Sequence, residues 1–248
     1  MRVAFVTVVS IAALLLQQPR PGAGADCAVA GSAVDSQTTA RWNRYAARLE
    51  RLNGSGTNKP LARELLRMAD ASSRAQRAVA QSLGRPGTAK RGGISPQLER
   101  MLAVNRANDA ELKQIVREHG WPTVHLVGLA AASAALGILN ESRDTPLEAA
   151  LLPALQRLAK RDAIPRPTVA GIQDTVLVAR GKKQLYGTIL TVRNGRPVML
   201  PVQDPAHLEQ RRDQYLLERN YVQNMAAELK AAQAPCAQHS SRARVSTH

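Results

Sequence analysis

The sequence predicts a mainly α fold with a small antiparallel β-hairpin, an α+β chain in which a helical N-terminal hairpin precedes a mixed helical core. Three observations carry this. Apolar residues recur every three or four positions through most of residues 36–180. The apolar fraction, 44% of 248 residues, is mostly Ala, Leu and Val, a composition suited to closely packed helices. Residues 184–202 combine strand formers with a hairpin turn signal, Asn194-Gly195.

The first segment, residues 1–25, reads as a secretory signal peptide. Arg2 supplies its positive end, the apolar run is broken only by Thr7 and Ser10, and Ala23-Gly24-Ala25 fits a small-x-small cleavage site. The run is shorter than the about 20 residues a span needs, so cleavage is expected over a retained anchor. Asp26 stands where a lipobox before Cys27 would need a small residue. No later segment is apolar enough to span a bilayer, and an exported, periplasmic or secreted protein is expected. Cys27 and Cys236 then meet an oxidising compartment, where an even count favours a disulfide. Free or intermolecular thiols are the alternative.

The helices follow in order. Tyr45, Leu49 and Leu52 mark one over residues 36–52, stopped by Asn53-Gly54-Ser55-Gly56. Leu61, Leu65, Met68, Val79 and Leu83 mark a second over 60–83, and the pair suits an antiparallel hairpin. Residues 84–95 read as a linker, closing an N-terminal unit of residues 26–94. A third helix spans about 96–118, with Asn105 and Asn108 on its apolar face, where they either brace a backbone or line a cavity. The small residues 128–135 let another helix approach closely. Thr145 is the expected cap of the next helix, with Pro146 in its first turn and Glu148 completing a capping box. Pro153 should kink that helix. Residues 168–180 suit either a helix or, at 175–178, a strand; the helical period and Gly181 favour a helix. The hairpin comes next, and Asp204-Pro205 caps a last helix running to about Gln233. The unit of residues 95–233 thus holds the hairpin, and residues 234–248 form a disordered tail.

The formal charge is +15, or +13 without Arg2 and Arg20. Such a field attracts polyanions, which outside the cytoplasm means envelope polyanions such as lipid headgroups or acidic glycans. Solubility and an arginine-rich genome account for the charge equally well, because basic residues are spread along the chain. Seven aromatics are too few for a nucleic-acid stacking platform, so no nucleic-acid partner is expected. The five histidines lack metal spacing, and neither cysteine lies in a Cys-x-x-Cys pair, so no metal and no cofactor are expected. A nucleophile elbow, a Walker loop and a dinucleotide fingerprint are also missing.

Several motifs stand out: His119-Gly120-Trp121-Pro122-Thr123, the run from Gly128, Gln173-Asp174, Gln184-Leu185-Tyr186-Gly187-Thr188 and Arg211-Arg212. Strand alternation places Gln184, Tyr186 and Thr188 on one face, where they could hold a polar ligand or form a solvated surface. Arg211-Arg212 lies on the stripe of the last helix, and an inward arginine needs a carboxylate, which Asp174 or Glu141 could supply. Together these motifs resemble the bacterial domain-of-unknown-function family 6624 over about residues 98–221. The resemblance implies a mixed helical domain with this hairpin and no known activity. It also marks departures. The family's usual aspartate is Asn105 here, its Gln-His pair is Asn140-Glu141, and the glutamine after Tyr-Gly-Thr is Ile189. The histidine and aspartate would have been the best base and its orienting acid.

The candidate ligand-binding set is therefore Asn105, Asn108, Trp121, Asp174, Gln184, Tyr186, Thr188, Arg211 and Arg212. Glu141 is the candidate base if there is catalysis. The expected function is a non-catalytic envelope module binding a polar or anionic ligand or a protein partner. The alternative is a hydrolase acting on an envelope or peptide substrate. A third reading makes the motif residues purely structural.

Overall fold

Most of the expected helices form, and their packing follows from which residues are small. The structure is a computed structural model and describes residues 36–83, 94–142, 144–193, 196–219 and 221–224. The signal segment 1–25, the linker at 84–93, Asn194-Gly195, the tail 234–248, Cys27 and Cys236 lie outside the described residues. The helices are α1 (Ser36–Asn53), α2 (Lys59–Leu83), α3 (Pro96–His119), α4 (Val124–Val127), α5 (Leu129–Ser142), α6 (Thr145–Lys160), α7 (Arg166–Ala179) and α8 (Leu208–Gln214). The strands β1 (Leu190–Arg193) and β2 (Arg196–Met199) pair antiparallel, Leu190 opposite Met199. The fold is thus mainly α with one small hairpin, and no described helix is long and apolar enough to cross a membrane.

Helix α5 is the hub of the packing because it has little bulk on its surface. Ala131, Ala132, Ala134, Ala135 and Gly137 are buried, so α2, α3, α4 and α7 all pack against it. The main core joins Leu61, Leu65 and Met68 of α2 to Leu112 and Ile115 of α3, and continues into Leu136 and Leu139 of α5, Leu155 of α6 and Ile172 of α7. Each such side chain contributes roughly 1.5–3 kcal/mol by leaving water. The core therefore spans the linker: α2 and α3 share one apolar interior, although 84–95 reads in sequence as a boundary between units.

Glycines permit one further close approach. The loop after α1 lies against the α4–α5 junction, with the Thr57 and Asn58 amides donating to Leu126 O at 3.0 and 2.8 Å. A Cβ on Gly56 would stand 2.4 Å from Gly128 N, and one on Gly128 would stand 2.7 Å from Ser55 O. Both residues have positive φ, +92° and +83°, so glycine is required twice over.

Four expectations need correction. Thr145 does not cap α6; Asp144 does, its carboxylate accepting from Leu147 N at 3.0 Å. Glu148 completes no capping box and is fully buried instead. The first strand does not begin at Gln184: residues 184–189 form a buried loop with a single bridge from Gln184 to Val202, and pairing starts at Leu190. The last helix stops at Gln214, where Leu216 takes a positive φ of 57°, and helix resumes only at residues 221–224. The carbonyl of Glu218, in that break, serves the site described next. Helix α7 forms as the helical period predicts, ending before Gly181, and α6 continues through Pro153.

Candidate functional site

Two polar groups stand out. The first is built around Asp174, which α7 projects from its buried face and which has no exposed surface. Residues 185–188 wrap round its carboxylate. Oδ1 accepts from Leu185 N at 2.7 Å and Tyr186 N at 3.1 Å. Oδ2 accepts from Thr188 N at 3.0 Å and Thr188 Oγ1 at 2.9 Å. Burial pushes the Asp174 carboxyl up, while these donors pull it back down. A loop curled this tightly needs Gly187 at φ +65°, and the Met199 side chain passes where a Cβ would stand.

The other residues of the motif close the same structure. Gln184 Nε2 donates to Ile189 O at 3.1 Å and Leu200 O at 2.8 Å, and its Oε1 accepts from Ile189 N at 2.9 Å. Arg211 donates to the carbonyls of Leu185, Gln203 and Asp204. Arg212, fully buried, donates to Tyr186 O at 2.6 Å and to Glu218 O, and lies 5.2 Å from the Tyr221 ring centre. Its partners are backbone carbonyls, not the carboxylate of Asp174 or Glu141 that the sequence suggested. The break after Gln214 is what turns Glu218 O toward the guanidinium. Tyr186 packs on Tyr215 with ring centres 4.5 Å apart, and burial holds its hydroxyl in the neutral form. Gln184, Tyr186 and Thr188 are therefore all buried, not the open polar face that strand alternation predicts.

The second group lies in the seam between α2, α3 and α5. Asn108 Nδ2 donates to Met68 O at 3.0 Å and Ser72 Oγ at 2.9 Å, so this amide braces α2. Asn105 Nδ2 donates to Glu141 O at 3.2 Å, at the end of α5. Burial pushes the Glu141 carboxyl up, and hydrogen bonds with Gln76 and Ser72 offset part of the shift. Two buried acceptors remain without a partner, Asn105 Oδ1 and Glu141 Oε2. Such atoms are rare in native interiors and are costly unless something supplies a donor.

The structure thus divides the candidate residues. Asp174, Gln184, Tyr186, Thr188, Arg211 and Arg212 come together, as do Asn105, Asn108 and Glu141. Trp121 joins neither group; it packs on the main core with its indole N–H unpartnered. Among the described residues no three His, Cys, Asp or Glu side chains stand together as a metal site. Sequence reasoning missed Ser72 and Gln76, which carry no distinguishing signal. It also misread Glu148, whose two carboxylate oxygens are buried without partners and whose carboxyl is raised by burial, and by Asp144 beside it, to about 7. The spacing of Glu148 to Leu155 and Ala159, seven and eleven residues on, could have placed it on a buried stripe.

These features define a helical domain whose hairpin is locked to its helices by one buried carboxylate. The chain belongs to the family of unknown function DUF6624, whose model matches residues 59–226. The match begins at the first residue of α2, in keeping with a core that runs from α2 into α3. No curated protein and no solved structure matches the chain.

Proposed function

We propose that the protein is an exported, non-catalytic module of the cell envelope that binds a polar ligand at the α2–α3–α5 seam. The observation that carries this is the contrast between the two polar groups. Around Asp174 the hydrogen-bonding groups are engaged within the fold, whereas the seam leaves Asn105 Oδ1 and Glu141 Oε2 unmatched. A ligand that presents N–H or O–H donors would satisfy both. Thermal unfolding of the full chain with muropeptides, lipopolysaccharide, nucleotides and short peptides tests the proposal. Ligand at 100 times its dissociation constant adds about 2.7 kcal/mol, read as a rise in Tm. A rise in wild type that Asn105→Ala abolishes and Glu141→Gln retains is expected. A rise equally large in Asn105→Ala would place binding elsewhere.

One observation favours a hydrolase as the second reading. Burial raises the Glu141 carboxyl, as a general base near neutrality requires. Turnover of a muropeptide or peptide substrate that disappears in Glu141→Gln would replace the binding-only reading.

A further inference from the structure

Basic residues look evenly spread along the sequence, but folding gathers some of them. Arg41, Arg44, Arg48 and Arg51 follow one another on α1 at three- and four-residue intervals and so run down one side of the helix. The edge of this stripe is pinned to the α6–α7 corner. Arg48, its side chain 59% exposed, lies 2.8 Å from the carboxylate of Asp162, which is itself buried and also holds Arg166. Asn53 Nδ2 donates to Asp162 O at 2.9 Å. With Asp162 fixed there, its exposed chain neighbours Lys160 and Arg161 reach solvent within two residues of Arg48's partner. Arg44 and Arg51 are exposed as well. Arg41, at the start of the stripe, is half-buried and paired with Asp213, 3.0 Å away, which also holds Arg219. Of the other nearby acids, Asp162 is already paired, and Glu50, two residues from Arg48, points to another side of the helix. One helical turn on from Arg48, beside the stripe, stands Leu52, 62% exposed, the most exposed large hydrophobic side chain described.

We propose that this face, formed by α1 and the α6–α7 corner, docks on an anionic lipid surface. The cations meet headgroup phosphates and Leu52 enters the acyl boundary. Charge alone would suit any polyanion. Leu52 selects the bilayer, because an exposed apolar side chain beside the cations gains nothing from a soluble polyanion and is buried by lipid. The proposal rests on the envelope location proposed above but uses no residue of the α2–α3–α5 seam.

The test is co-sedimentation of the full chain with phosphatidylglycerol–phosphatidylcholine vesicles and with pure phosphatidylcholine vesicles. The apolar N-terminal segment is common to all variants and cancels in the comparison. Arg44→Gln with Arg51→Gln is set against the charge-matched pair Arg63→Gln with Arg77→Gln on α2, all four positions being exposed. Wild type is expected to prefer the anionic vesicles, with the α1 pair losing about tenfold in affinity and the α2 pair less than about threefold. Leu52→Ser is expected to weaken vesicle binding and leave binding to soluble polyphosphate unchanged. Equal losses in the two pairs, or no preference for anionic vesicles, would overturn the proposal. Unaltered vesicle binding by Leu52→Ser, with polyphosphate held by the same arginines, would make the partner a soluble polyanion and overturn it too. Failure here leaves the Asn105-dependent shift in Tm untouched, and the converse also holds, so the two readings fail separately.

Discussion

At the scale of single residues, buried carboxylates distinguish this molecule, and what surrounds each one sets its role. Asp174 is matched by donors; removing it leaves the Leu185, Tyr186 and Thr188 amides buried with nothing to bond. Asp174→Ala is therefore expected to lose about 3 kcal/mol or more in urea unfolding, and Asp174→Asn less, because one acceptor survives. Glu148 is the opposite case. Its folded-state pKa, about 7, lies above the ordinary value of 4.5, so the folded state holds the proton more tightly than the unfolded chain. Stability is then full below pH 4.5, falls as pH rises toward 7, and levels off above it. Glu148→Gln should leave stability at pH 4 nearly unchanged and raise it at pH 8 by roughly 1–3 kcal/mol. Equal effects at both pH values would show that Glu148 does not ionise within the core. Asn108 was legible in the sequence as a polar residue on an apolar stripe, and Asp174 as a motif carboxylate that an inward arginine could need. Their partners were not, because hydrogen bonds to backbone 12 or 40 residues away leave no periodic trace.

At the scale of elements, caps and glycine contacts decide how segments join. Asp144 caps α6, so Asp144→Ala should cost about 1 kcal/mol in urea unfolding, while Thr145→Ala should be close to neutral. The reverse order would restore the sequence-based assignment of Thr145. Gly128→Ala combines a positive φ with overlap against Ser55 O, and should lower stability by about 2 kcal/mol or more, seen as a large fall in Tm. Helix periods were legible because apolar stripes repeat locally, and five of the eight helices (α1, α2, α3, α6 and α7) were expected within a residue or two at one end or both. The hairpin's first strand and the last helix were drawn too long. Gln184 to Ile189 has strand-forming side chains, yet Asp174 captures its amides before a second strand can. The last helix keeps its apolar stripe past Tyr215, yet Arg212 holds the carbonyl of Glu218 in a break that the stripe does not reveal.

At the scale of the whole molecule, α5 unites the helices, and α7 joins the hairpin to them through Asp174. Asp174, Gln184, Tyr186, Thr188, Arg211 and Arg212 meet in that second joint. Its residues had suggested a ligand face, because alternation in a strand is the simplest reading of Gln-x-Tyr-Gly-Thr. The fold instead turns all of them inward. The motif thus braces the fold, and the proposed ligand site is instead the seam between α2, α3 and α5. Amide hydrogen exchange of the full chain tests that bracing most directly. The Leu185, Tyr186 and Thr188 amides, donated to the buried Asp174 carboxylate, are expected to exchange as slowly as those of α5, opening only with global unfolding. Fast exchange at these three amides, with α5 still protected, would contradict the account and return the motif to the role of an open ligand face.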